Sequence, residues 1–302
     1  MTTIKNQHFE GERPLFDSHN LRLEQVTIGE GESAIKHCSN IEAQDCFFEG
    51  KYPFWHVSGF TIQNCRFAVE ARSALWYSEH LVMKDTIIDA PKMFREMHDI
   101  QLANVVINDA DEIFWRCQDI VARNLEIHDG TYPFMFCENI RIDGLKSDSK
   151  YVFQYCKNVE LHNAHIVTKD AFWECENVCI YDSVLDGEYL AWHSKNVRLV
   201  RCHLAGEQLL CYADQLVLED CTFDAACDRV FEFSTVQADI RGHIENIKNP
   251  TGGHIEADSI GSVTMEGKTL QQQTLPPAPP KGGEYILNTA PLTIKLKSHS
   301  KE

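Results

Sequence analysis

Two pairs of residues in this chain have the types and spacing for acid–base chemistry. Glu96 and Arg116 are 20 residues apart, and Glu174 and His193 are 19 apart. Both separations match one period of a repeat that runs through the sequence, so each pair should fall on neighbouring rungs. A carboxylate beside a guanidinium or imidazole can accept, donate or direct a proton. The same column holds His56, Tyr77 and Tyr155, and a Phe column that includes Phe114 runs beside it. Aromatic groups next to polar ones suit a flat polar ligand such as a sugar ring. The candidate catalytic residues are therefore Glu96, Arg116, Glu174 and His193. The candidate substrate contacts are His56, Tyr77, Phe114 and Tyr155. Two plainer readings stand beside this one. Glu96 and Arg116 could form only a surface ion pair, worth under about 1 kcal/mol, or the strip could seat the C-terminal tail.

The elements that must position these residues are legible from Phe114 to Tyr189. Four successive lines of 19 or 20 residues each open on Phe, place Cys three residues later, and place Asp or Asn two after that. The same frame starts at Leu15, Ile35, Phe54, Leu75 and Phe94, and continues through Ala191, Leu210 and an imperfect Phe231. A polar column follows five places after each start (Asn20, Asn40, Asp119, Asn139), and a second comes five places later (Asp45, Asn104, Asn124, Asp182). Period two within each short run means strand. An equivalent strand every 19–21 residues pairs in parallel with its copy in the next repeat. The expected fold is all-β: a single chain wound into a parallel β-helix of about 12 coils, with three short strands per coil and rungs about 4.8 Å apart. Asn suits the corners because it tolerates left-handed backbone and can hydrogen-bond to the Asn one rung away.

The phrase Asn158-Val159-Glu160-Leu161-His162-Asn163-Ala164-His165-Ile166, recurring from about residue 15 to 223, resembles the coil of the pectin-lyase-like right-handed parallel β-helices. Within that superfamily the sequence looks like a bacterial family of uncharacterised cytosolic proteins. The resemblance implies a right-handed coil, and the superfamily's pectin-degrading members suggest lyase or hydrolase chemistry on a polysaccharide. Their catalytic motifs are missing here, and Gly252-Gly253-His254-Ile255 does not replace them.

Composition narrows the partners. A net charge of −17 argues against a nucleic-acid partner and against docking on anionic lipid. The expected partners are a saccharide or a protein, a second copy of the chain included. No cofactor is expected. No apolar stretch approaches 18 residues, and MTTIKNQHFEGERP has no apolar signal core, so a cytoplasmic protein is expected. The 12 Cys then read as thiols. Cys117, Cys137, Cys156 and Cys175 would form a line and not a tetrahedral metal cluster. Cys227, in a looser stretch, is the expected reactive thiol. Acidic corners at Asp89, Asp109, Asp111 and Asp129 read as solvated turns, and no metal site is expected.

The β-helix is expected over residues 1–270, with an incomplete first coil at 1–14 and irregular last coils at 236–270. A Pro/Gly linker at 271–283 and a tail at 284–302 that docks back on the body follow. The facing of the strand before the first corner is the open question. Strict alternation turns Val152, Gln154 and Cys156 inward and the Phe column outward. It also buries Lys36 and Arg95, which is costly for unpaired charge. A bulge would reverse the assignment. The first arrangement is preferred here.

Overall fold

The computed structural model describes residues 1–265 and 292–297. The described residues form parallel strands and no helix, stacked as a β-solenoid of about 14 turns. No helix among them is long and apolar enough to cross a membrane. The chain divides into two compact units, Met1–Lys157 and Asn158–Glu302.

In the first unit, four ten-residue strands, Glu79–Ile88, His98–Ile107, Gln118–Ile127 and Glu138–Ser147, pair in parallel and in register. Leu81 faces Ile100, Ile100 faces Ile120, and Ile120 faces Ile140, so each inward side chain sits on its own kind. The inward set changes phase within each strand. Leu81 and Met83 point in, and so do Thr86 and Ile88. The shift occurs at Asp85, whose φ is +49°, with Asn104 and Asn124 in the same conformation on the next coils. Left-handed backbone costs an L-residue about 1–2 kcal/mol. Part of that is offset by the corner ladder, in which Asn104 donates to Asp85 at 2.8 Å and Asn124 donates to Asn104 at 2.9 Å.

The third side of the coil uses the same device at closer intervals. Tyr132, Phe134 and Phe136 all have φ between +57° and +61°, while Pro133 and Met135 between them do not. Lys92, Phe94 and Glu96 repeat the pattern, as do Glu112, Phe114 and Arg116. Alternate left-handed residues break the simple in–out alternation of a strand. Two positions three apart, Phe134 and Cys137, both turn inward, and the two between them turn outward. This side is bonded from coil to coil through short strands and single bridges, such as Arg95 to Trp115 and Trp115 to Met135.

The expected outward Phe column is thereby corrected. Phe54, Phe94, Phe114, Phe134 and Phe153 are fully buried. Phe94, Phe114, Phe134 and Phe153 stack with centroids 4.3, 4.5 and 4.5 Å apart. Burying each ring contributes about 1.5–3 kcal/mol and each stack about 0.5–1.5 more, against about 1–2 kcal/mol for the left-handed backbone at the Phe itself. Lys36 and Arg95, which strict alternation would have buried, are half-exposed. Cys117, Cys137 and Cys156 also point inward and donate to the carbonyls of Phe94, Phe114 and Phe134. Cys227 is not the accessible thiol. It is fully buried, and burial pushes it up to about 11. Cys179 is the half-exposed one.

In the second unit, Glu176–Tyr181 pairs with Lys195–Val200, which pairs with Asp214–Phe223. Thr235–Lys248 and Gly252–Thr264 follow in parallel, with a register shift between Ile240 and His243. Gly253, at φ +113°, allows a close approach, since a Cβ there would lie 1.8 Å from the carbonyl oxygen of Val236. Leu292–Leu296 adds in parallel to Gly252–Thr264, with Ile294 opposite Ile255. The Pro/Gly stretch at 271–283 and the rest of the tail lie outside the described residues.

Phe114→Ala should cost about 3–5 kcal/mol, as expected for a buried ring whose removal leaves a cavity. Phe136→Ala, two residues away on the outer face, should cost under about 1.5 kcal/mol. Urea unfolding of the two variants measures the difference, and equal costs would contradict the inward assignment.

Candidate functional site

The outward residues of the third side form two adjacent columns in the first unit. One column holds Lys36, Trp55, Trp76, Arg95 and Trp115, all half-buried. Lys36 Nζ lies 5.3 Å from the Trp55 ring, and Trp55 stacks on Trp76 at 5.6 Å. Arg95 is sandwiched between Trp76 at 4.5 Å and Trp115 at 5.2 Å. Two indoles are tied to the next coil: Trp55 Nε1 donates to the Ser73 carbonyl at 2.7 Å and Trp76 Nε1 to the Lys92 carbonyl at 2.6 Å. Arg95 and Lys92 both bond the Glu112 carboxylate.

The second column contains most of the candidates. His37 stacks on His56 at 5.0 Å, and His56 stacks on Tyr77 at 5.1 Å. Burial, reinforced by His37 and Lys36, holds His56 below the usual imidazole range. Further along, Arg116 lies 5.5 Å over the Phe136 ring, and Phe136 stacks on Tyr155 at 5.0 Å. Tyr77 is 40% exposed, and Phe136 and Tyr155 are each 38% exposed. The rings face one another along the column, with interplanar angles of 2°, 15° and 18°, so their edges are what point to solvent.

Neither expected acid–base pair is assembled. Glu96 and Arg116 make no ion pair, because the guanidinium is drawn over Phe136. Among the described residues the Glu96 carboxylate has no partner. In the second unit Glu174 and His193 do not meet either, and His193 stacks on Tyr212 at 5.0 Å. Phe114 is fully buried between Phe94 and Phe134 and has no surface to offer a ligand. His56, Tyr77 and Tyr155 are exposed on the strip.

A carboxylate–imidazole network lies beside the strip, at the corner residues His80 and Asp99 and at the residues just before the corners, Ser58, Glu79 and His98. Ser58 Oγ donates to Glu79 Oε1 at 2.7 Å, and Glu79 Oε2 lies 2.8 Å from His98 Nε2. His80 Nδ1 lies 2.8 Å from Asp99 Oδ2, and the two imidazoles meet edge-on at 5.7 Å. The signal was present in the sequence: Glu79-His80 on one coil and His98-Asp99 on the next have acid and base exchanged, so both cross-pairs form. The Ser58 hydroxyl, then the two imidazoles, hold Glu79 below the usual carboxylate range. The Asp99 hydrogen bond holds His80 above the usual imidazole range, and Asp99 is held low in return.

Other places offer less chemistry. In the second unit a cavity of about 410 Å³ is lined by Gln215, Val217, Thr235, Gln237, Gly252 and Gly253 among others, none of them ionisable. The Asp89 corner is engaged by Arg66 and Asn108, both at 2.7 Å. Among the described residues no group of three or more His, Cys, Asp or Glu is arranged to hold a metal ion.

A sequence profile for a family described as "Protein of unknown function (DUF3737)" matches residues 2–275. The chain belongs to the DUF3737 family. No curated protein and no solved structure matches it. The DUF3737 match spans both outward columns and the Glu79–His98 network, so these belong to the family's own domain.

The network sets a pH window. The contribution of His80 is present below about pH 6.5, its unfolded value, and is lost as pH rises through its higher folded value. The contributions of Glu79 and Asp99 are present above about pH 4 and are lost as pH falls through their lower folded values. Between those limits the network supports the fold most. Asp99→Asn should bring His80 down to the ordinary imidazole range, as read from its ring-proton shifts by NMR titration. A His80 titration unchanged by the substitution would contradict the pairing.

Proposed function

We propose that this chain is a non-catalytic interaction module that docks a partner protein on the outward columns between Lys36 and Tyr155. The observation that carries this reading is the pre-stacked strip of Trp55, Trp76, Arg95, Trp115, Phe136 and Tyr155. Trp, Tyr and Arg dominate the energetic centres of protein interfaces. Side chains already locked by stacking lose little entropy when a partner covers them. The unassembled acid–base pairs weigh against catalysis on this face. The edge-on rings weigh against a sugar stacking on aromatic faces. Twelve cysteines, all free, fit a reducing compartment and hence a cytoplasmic place of work.

One observation favours a second reading, carbohydrate binding or cleavage. Glu96 is an exposed carboxylate without a partner among the described residues, between Tyr77 and Arg116 in the column. With the likeness of Asn158–Ile166 to pectin-lyase-like coils, Glu96 and Arg116 would act on a saccharide held by His56, Tyr77 and Tyr155, and Glu174 with His193 would be a second candidate pair.

The combined substitution Trp76→Ala and Tyr77→Ala tests the first reading. Affinity capture from cells that make the protein, quantified by mass spectrometry, should lose its specific partner at least about tenfold, or about 1.4 kcal/mol, while circular dichroism stays unchanged. Capture of the same proteins by both forms would contradict it. A glycan array in parallel tests the second reading. A saccharide bound by the wild type and lost on Glu96→Ala supports it, and no binding, or binding that survives the substitution, removes it.

A further inference from the structure

We infer that the partner docked by the strip is a second copy of this chain, laid antiparallel, with a two-fold axis in the plane of contact passing between the Glu96 and Arg116 coils. The inference rests on the reading of the strip as a protein-docking face. It concerns only the first unit.

The order of residues along the second column is self-complementary. It runs His56, Tyr77, Glu96, Arg116, Phe136, Tyr155, one residue per coil. Reversed and laid against itself about the midpoint of Glu96 and Arg116, it sets Glu96 against the partner's Arg116 and Tyr77 against the partner's Phe136. His56 then meets the partner's Tyr155. The first column obeys the same rule, with Arg95 against the partner's Trp115 and Trp76 against the partner's Met135. A closed two-fold interface requires this reciprocity, in which residue i meets j and j meets i.

Three further observations favour this occupant. Among the described residues the Glu96 carboxylate has no partner, and the Arg116 guanidinium meets the Phe136 ring and no carboxylate. Each therefore keeps its capacity for a charge-assisted bond, and the two-fold supplies two such bonds at the centre of the contact. The whole chain carries a net charge of −17, so two copies repel over most of their surfaces. From Lys36 to Tyr155 these two columns carry Lys36, Arg95 and Arg116 against Glu96 alone, so acid does not face acid here, and the antiparallel order sets each Arg116 against the partner's Glu96 and each Arg95 against the partner's Trp115. Finally, ring separations of 5.0–5.1 Å repeat along the column. A second solenoid of the same pitch keeps register with that spacing over all six coils.

Sedimentation velocity on the full chain tests this directly. The wild type should dimerise at micromolar concentration. Glu96→Arg and Arg116→Glu, each at an exposed position, should each weaken dimerisation at least tenfold. An equimolar mixture of the two variants should recover the dimer. The arginine introduced in one variant then meets the glutamate introduced in the other, and the untouched Arg116 meets the untouched Glu96. Native mass spectrometry should identify that species as the mixed pair. A wild type that stays monomeric to about 100 μM, a single variant that dimerises as well as the wild type, or a mixture that stays monomeric would overturn the inference. The two readings fail separately. If the wild type is monomeric while Trp76→Ala with Tyr77→Ala still abolishes capture of another protein, only self-pairing falls. If capture is also unchanged, the docking face falls with it.

Discussion

The left-handed backbone at every second residue of the third side is the constraint from which the rest of the structure follows. It turns Phe114 and Cys117 inward from positions three apart and pushes Trp115 and Arg116 out. Each such residue is strained on its own. The strain is tolerated because the turn buries a ring between two others, as Phe114 lies between Phe94 and Phe134. The ladder is cooperative in that sense, since a lone coil would bear the backbone cost without the stack.

The same geometry shapes the outer surface. Two consecutive outward residues per coil, from Lys36 and His37 to Met135 and Phe136, give two columns side by side, and stacking at the coil spacing holds much of both. Trp76 and Trp115 hold Arg95 between them, and His37, His56 and Tyr77 form a continuous pile. The result is a stiff, edge-on aromatic ribbon with its cations already seated on rings. In the Glu79–His98 and His80–Asp99 pairs the ladder logic acts on charges, and opposite partners on successive coils tie the corner together.

Much of this was legible in the sequence, for a physical reason. In-register parallel coils place like on like, so a column in space is a period in the sequence, and Asn104 above Asp85 or Ile120 above Ile100 could be read by counting. The facing of the third side was not legible under strict alternation, because alternation assumes extended backbone at every residue. The spacing of three from Phe to Cys, and the burial it forced on Lys36 and Arg95, were the signs that the assumption failed. The candidate site was half legible. The column of His56, Tyr77, Glu96 and Arg116 is where it was expected. A shared column fixes the spacing of backbones, however, and not the direction in which a long side chain leans. Arg116 leans toward Phe136 and His193 toward Tyr212, so neither meets its carboxylate. Glu79 and His98 do meet, one position before the corner residues His80 and Asp99, at places to which the sequence analysis gave no role.

Alkylation of the native thiols tests the inward assignment most directly, with each cysteine located by peptide mass spectrometry. Cys179 should react alone, while Cys117, Cys137, Cys156 and Cys227 react only after denaturation. Modification of Cys117, Cys137 and Cys156 in the native protein at the rate of Cys179 would mean that this column faces water, and the account of the third side would be wrong.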